Sequence, residues 1–135
     1  MRITYKKLSK RFPDKTLKNF FDESLPGKTL QQCRNIIKYS SVIIGAFDNN
    51  KLISISRALD DTVYSFVADV VVNLNYQRKG IGKKILKTLC NELIKKDVKI
   101  ILCKTSKNLV PFYKSAANFK YNPKDVLVYI KNYKK

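Results

Sequence analysis

Six residues, Gln77-Arg78-Lys79-Gly80-Ile81-Gly82, constrain this chain more than any other segment. They follow the apolar run Val70-Val71-Val72 and open a helical pattern. A strand, a glycine-bearing loop and a helix in that order turn free backbone N–H groups toward an anion. The first turn of a helix leaves its N–H groups without internal partners, and the helix dipole favours negative charge there. Gly80 and Gly82 lack a Cβ, so a phosphate can come close to the main chain. Arg78, Lys79, Lys83 and Lys84 surround the same point with positive charge. Spacing excludes two common phosphate loops. A P-loop needs glycine where Gln77 stands and Ser or Thr where Lys84 stands. A dinucleotide fingerprint needs glycine where Ile85 stands.

The rest of the chain alternates between two periodicities. Ile3 to Leu8 reads as a first strand. Pro13-Asp14 opens a helical stretch carrying Leu17, Phe20, Phe21 and Leu25, and Pro26-Gly27 ends it. Thr29 with Gln32 is a capping-box signal for a second helix carrying Leu30, Cys33, Ile36 and Ile37. Val42 to Phe47 and Lys51 to Leu59 flank Asp48-Asn49-Asn50 as a β-hairpin, and Val63 to Val72 follows the Asp60-Asp61 turn as a further strand. The helix after the glycine loop places Ile85, Leu86, Leu89, Cys90, Leu93 and Ile94 on one face. Val98 to Cys103 reads as a buried strand, Asn108 to Ala117 as a helix, and Val126 to Ile130 as a closing strand. The expected fold is α+β: helices on a central mixed, mostly antiparallel sheet, in one domain spanning 1–135.

Composition narrows the chemistry. The chain has no histidine, which removes the usual general base, the commonest metal ligand and any Ser-His or Cys-His nucleophile pair. Cys33, Cys90 and Cys103 are odd in number and lack zinc spacing, so no metal site is expected. No stretch approaches the length of a membrane span and the N-terminus has no apolar signal core, which predicts a cytoplasmic protein. The net charge is +18, from 28 Lys and Arg against 10 Asp and Glu. Nucleic-acid binding, attraction of a polyanionic cofactor and compositional drift all account for it. The lysines are spread along the chain instead of gathered in a tail, so nucleic acid is not favoured.

Gln77, Gly80 and Gly82 fill the pattern (Q/R)-x-x-G-x-(G/A), and the chain resembles the GNAT acyl-CoA N-acyltransferases from end to end in its order of elements. Gly45-Ala46-Phe47-Asp48, Arg57-Ala58-Leu59-Asp60-Asp61, Asp69 through Tyr76, Phe112-Tyr113-Lys114 and Asn118-Phe119 resemble short, single-domain members. These include the group with plastid-type acetyltransferases acting on arylalkylamines or lysine. The resemblance implies the GNAT fold, acetyl-CoA as cofactor and transfer of its acetyl group to a primary amine by direct attack in a ternary complex.

It also implies roles for particular residues. A bulge in the strand before the loop would free main-chain groups of the Val70-Val71-Val72 run, those of Val70 and Val72 holding the pantetheine arm and the thioester oxygen. Gln77, Arg78, Lys79, Gly80, Ile81, Gly82 and Lys83 would cradle the pyrophosphate. Tyr113 would be the general acid for the departing sulfur, and Asn108 would contact coenzyme A or cap a helix. Asp69, a carboxylate inside an apolar run, is the expected base, directly or through a water. Asn118 stands where the family usually has glycine, and asparagine is the next best residue for a left-handed turn. The expected acceptor is a small-molecule or peptide amine, and the expected state a monomer or homodimer. The alternative is a catalytically weak module on the same scaffold that binds acetyl-CoA or nucleic acid.

Overall fold

Alternating side chains on the two central strands sort the apolar residues into two cores. Val42, Ile44 and Ala46 face one side of the sheet, and Ile43 and Phe47 face the other; all five are buried. A strand buried on both faces needs helices above and below it. The computed structural model describes residues 2–121. Their elements are β1 (Ile3–Lys7), α1 (Asp14–Ser24), α2 (Leu30–Tyr39), β2 (Val42–Asp48), β3 (Lys51–Asp60), β4 (Tyr64–Val72), α3 (Ile81–Lys95), β5 (Ile100–Cys103) and α4 (Val110–Ala117). Short 3-10 turns at Leu74–Tyr76 and Lys107–Leu109 precede α3 and α4. This reproduces the predicted order through α4. The closing strand expected at Val126–Ile130 lies outside the described residues.

The sheet runs β1-β2-β3-β4-β5, antiparallel except for the β4–β5 pair, which is parallel. Helix α3 packs Ile81, Ile85, Leu86, Leu89, Cys90 and Leu93 onto one face, with Ala116 of α4 beside them. Helices α1 and α2 cover the other face through Leu17, Phe20, Phe21, Cys33, Ile36 and Ile37. The predicted capping box forms: the Thr29 hydroxyl accepts from the Gln32 N–H at 3.0 Å, and the Thr29 N–H donates to Gln32 Oε1 at 2.9 Å.

Two side chains depart from expectation. Ile94 is 64% exposed and does not join the α3 stripe. At 3.6 residues per turn it lies about 40° past Cys90, which is already at the margin of the buried arc. Leu25 is 47% exposed because it is the non-helical residue that caps α1, beyond the helical face.

Leu86, fully buried beneath the sheet, is a test of this packing. Leu86→Ala is expected to lower unfolding free energy by roughly 2–5 kcal/mol in urea titration, against less than about 0.5 kcal/mol for Ile94→Ala.

Candidate cofactor cleft and catalytic site

Strand β4 changes partners partway along its length. Beside β5 its pairing ends at Val67↔Cys103, whereas beside β3 it continues to Val72↔Ser54. The register with β3 shifts between Arg57 and Ala58, so Ala68 is an extra residue between Val67 and Asp69, a β-bulge. Beyond that bulge the two parallel strands part. Antiparallel partners exchange main-chain bonds at alternate positions. The Asn73 N–H donates to the Ile53 carbonyl at 2.8 Å, so Asn73, Val71 and Asp69 aim their main chain at β3. Val70 and Val72 therefore aim theirs into the gap.

The gap opens into a cleft of about 510 Å³. Val70 and Val72 form one wall, Tyr76, Gln77, Arg78 and the α3 N-terminus a second, and Leu109, Phe112 and Tyr113 the third. Gly80 is the N-cap of α3 at φ 80°, a conformation that side-chain-bearing residues rarely adopt, and no side chain caps the helix there. The N–H groups of Ile81, Gly82 and Lys83 have no carbonyl one turn earlier to bond, so this is an open anion site. A Cβ on Gly82 would meet the Phe112 ring at 3.4 Å and Val72 Cγ2 at 3.6 Å. Any larger side chain there would fill the cleft. These features fit a phosphate-bearing acyl carrier: donors at the helix end, an apolar channel between strands, and glycine where its path runs closest to the protein.

The loop before α3 is tied down by polar contacts that sequence reading missed. Tyr76 Oη donates to Asp48 Oδ2 at 2.6 Å, Gln77 Nε2 donates to the Val72 carbonyl at 3.1 Å, and buried Asn73 donates to Glu23 Oε2 at 3.0 Å. Tyr76 carried no signal of its own beyond its place before Gln77. Phe112 packs against the main core and also lines the cleft.

Tyr113 sits edge-on between Phe112 and Phe119, with ring centroids 5.2 and 5.5 Å away. Among the described residues its hydroxyl makes no hydrogen bond, so it is free to donate into the cleft. Burial, then the neighbouring Cys103 and Asp69, raises its pKa above the ordinary 10.0. Asn118 adopts φ 59° and ends α4, the left-handed turn expected of it. Cys103, below Tyr113, and Cys90 are pushed up to about 11 by burial.

The structure does not bring every predicted residue to the cleft. Val71 points to the opposite face, toward the α1–α2 core. Lys79 is exposed and does not line the cleft. Asn108 is exposed in the turn before α4, where Ser106 Oγ donates to its Oδ1. Asp69 is not the isolated carboxylate expected: Arg57, opposite it on β3, closes an ion pair with it, the two side chains 17% and 13% exposed. Arg57 also donates to Ser40 Oγ at 3.3 Å. Among the described residues no group of His, Cys, Asp and Glu is placed to hold a metal. No described helix is long and apolar enough to cross a membrane.

A five-stranded mixed sheet whose fourth and fifth strands part above a helix N-terminus defines the acyl-CoA N-acyltransferase class of folds. The family model described as "Acetyltransferase (GNAT) domain" matches residues 8–119. The chain belongs to the GNAT acetyltransferase family. An uncharacterized N-acetyltransferase, ycf52, of Pyropia yezoensis is 28% identical over 92 residues, 64% of this chain and 53% of that protein. The chain thus spans about half the length of the curated relatives it matches. A GNAT-family acetyltransferase from Streptococcus pneumoniae has the same fold at TM-score 0.76 and 22% identity, covering 98% of this chain and 100% of that one. The aminoglycoside N-acetyltransferase AAC(6')-Iy, solved in complex with CoA, superposes at TM-score 0.75 and 11% identity over 97% of this chain and 95% of its own.

The thiols and the phenol give two expected outcomes. Native Cys90 and Cys103 should react with a disulfide reagent at pH 8 many times more slowly than the same residues in denaturant, because the reactive thiolate is suppressed. Tyr113 binds its proton more tightly folded than unfolded. Its stabilisation is present below pH 10 and lost as pH rises through the folded value, so Tyr113→Phe should flatten the alkaline fall in stability measured by urea midpoint.

Proposed function

We propose that residues 1–135 act as one acetyl-CoA-dependent N-acetyltransferase domain working by direct attack of a primary amine. The observation that carries this is the convergence of three donor sets on one cleft. These are the uncapped N–H groups of α3, the freed main chain of Val70 and Val72, and the phenol of Tyr113. The N–H groups of Gly80 to Lys83, with Gln77 and Arg78 beside them, bind the pyrophosphate; Lys79 and Lys83 add charge around it. Val70 and Val72 hold the amide-bearing arm between the strands and direct one N–H at the thioester oxygen, polarising the carbonyl.

Coenzyme A supplies an acetyl group on a good leaving sulfur. The amine nitrogen bonds to the acyl carbon as the carbon–sulfur bond breaks. Asp69, oriented by Arg57, takes the surplus proton of the nitrogen through a water. Tyr113 gives its proton to the departing sulfur, and its raised pKa keeps that proton in place at neutral pH. Without histidine, with Cys33 and Cys90 buried and the Cys103 thiol held protonated at neutral pH, the site has no nucleophile suited to a covalent acyl-enzyme.

Isothermal titration with acetyl-CoA tests the cleft. Saturable 1:1 binding is expected, lost in Gly82→Glu, whose carboxylate would fill the space before Phe112 and repel phosphate. Absence of binding by the unaltered chain sinks the proposal and makes nucleic-acid binding, with its salt dependence, the next reading to test. Tyr113→Phe is expected to keep binding and lose roughly 10²-fold or more in kcat, followed as release of free CoA.

A further inference from the structure

On the face opposite the cofactor cleft, a groove of about 630 Å³ lies between β3, α2 and the turn joining α1 to α2. Lys28, Gln32, Asn35, Tyr39, Arg57 and Leu59 are among its walls, and no acidic side chain is. The groove and the cleft meet through Asp69. Its carboxylate pairs with Arg57 of the groove, its charge is felt at Tyr113 of the cleft, and Val70 beside it lines the gap between β4 and β5.

The groove is lined by donors. Arg57 uses its Nε for Asp69 and one N–H of Nη1 for Ser40, which leaves three of the five N–H groups of a guanidinium without partners among the described residues. Asp69 offsets most of the Arg57 charge, so those N–H groups act mainly by direction. Lys28 supplies the net charge, its ammonium held 4.2 Å from the Phe21 ring centroid at the rim. Gln32 spends its Oε1 on the Thr29 N–H, leaving its amide nitrogen as a further donor.

Among the described residues every carboxylate already has a partner. Nine of the ten Asp and Glu are among the described residues, Asp125 being the tenth, and each of the nine is engaged. Asp14, Asp22, Glu23, Asp60, Asp69, Glu92 and Asp97 are in ion pairs. Asp48 accepts from Tyr76, and Asp61 accepts from the N–H groups of Val63 and Tyr64. A polycationic acceptor would find, among the described residues, only carboxylates that already have partners, and a net charge of +18 against it.

We infer that the amine accepted by this site carries a carboxylate, gripped by Lys28 and the free N–H groups of Arg57 in the groove between α2 and β3. The inference rests on the acetyl-transfer reading above. Arginine and lysine donors on the walls of one groove hold a carboxylate by charge-assisted hydrogen bonds. Its amine end then extends past Asp69 toward the cleft.

The test follows CoA release by the full chain with 4-aminobutyrate, glutamate and tyrosine, set against neutral phenethylamine and the polycations spermidine and kanamycin. The best carboxylated amine is expected to exceed the best polycation by about tenfold or more in kcat/KM. Lys28→Glu, on a partly exposed turn, is expected to raise the KM for that amine about tenfold with little change in kcat or in acetyl-CoA affinity, and to lower the KM for spermidine. Three results overturn the inference in a protein that binds acetyl-CoA: spermidine, kanamycin or phenethylamine is used as well as any carboxylated amine, no carboxylated amine is acetylated, or Lys28→Glu leaves the preference unmoved. Failure to bind acetyl-CoA at all is a different result, which removes the acetyl-transfer reading and this one with it.

Discussion

The parting of β4 from β5 is the constraint on which the rest depends. Two parallel strands left paired to their ends would close the sheet and leave no room for an extended ligand between them. One extra residue, Ala68, ends that arrangement. Pairing with β3 resumes at Asp69, and the ladder to β5 stops at Cys103. The main chain of Val70 and the N–H of Val72 are then left facing a gap, a cost that a bound amide chain offsets, while the Val72 carbonyl accepts from Gln77. The same bulge sets the register that puts Asp69 opposite Arg57, and so decides which side of the sheet each charge occupies.

The helix that supplies the anion site is held by a different force. Its position comes from the apolar stripe of α3 pressed on the sheet, with Ile85, Leu86, Leu89 and Leu93 fully buried. The N-terminus of α3 then falls at the mouth of the gap, since β4 leads into it through one short turn. Asn73, Tyr76 and Gln77 each bond back to an element already in place, so the loop geometry is set before any ligand arrives. Preorganisation of this kind lowers the entropy a ligand must overcome.

Much of this was legible because it is local. The capping box, the hairpin turn, the α3 stripe and the left-handed Asn118 each depend on residues within one or two turns of one another. The glycine loop announced its own conformation through the residue types it contains. Misplaced residues lie where a local pattern meets a distant surface. Ile94 continues the helical spacing past the edge of the sheet beneath it. Phe112 packs against the core and lines the cleft as well, a second role its apolar character does not announce. Asp69 looked isolated because its partner lies twelve residues away on another strand.

The order of elements, the periodicity of each, the conformation of the glycine loop and the excess of positive charge were all determined by the sequence itself, since propensity, spacing and composition act along the chain. Tertiary structure decided the rest: that Ala68 is a bulge, that Arg57 meets Asp69, that Tyr113 lines one cleft with Val70 and Val72, and that the described carboxylates are engaged. Register and pairing between distant strands depend on the packing of both sheet faces at once, and no single segment contains that information.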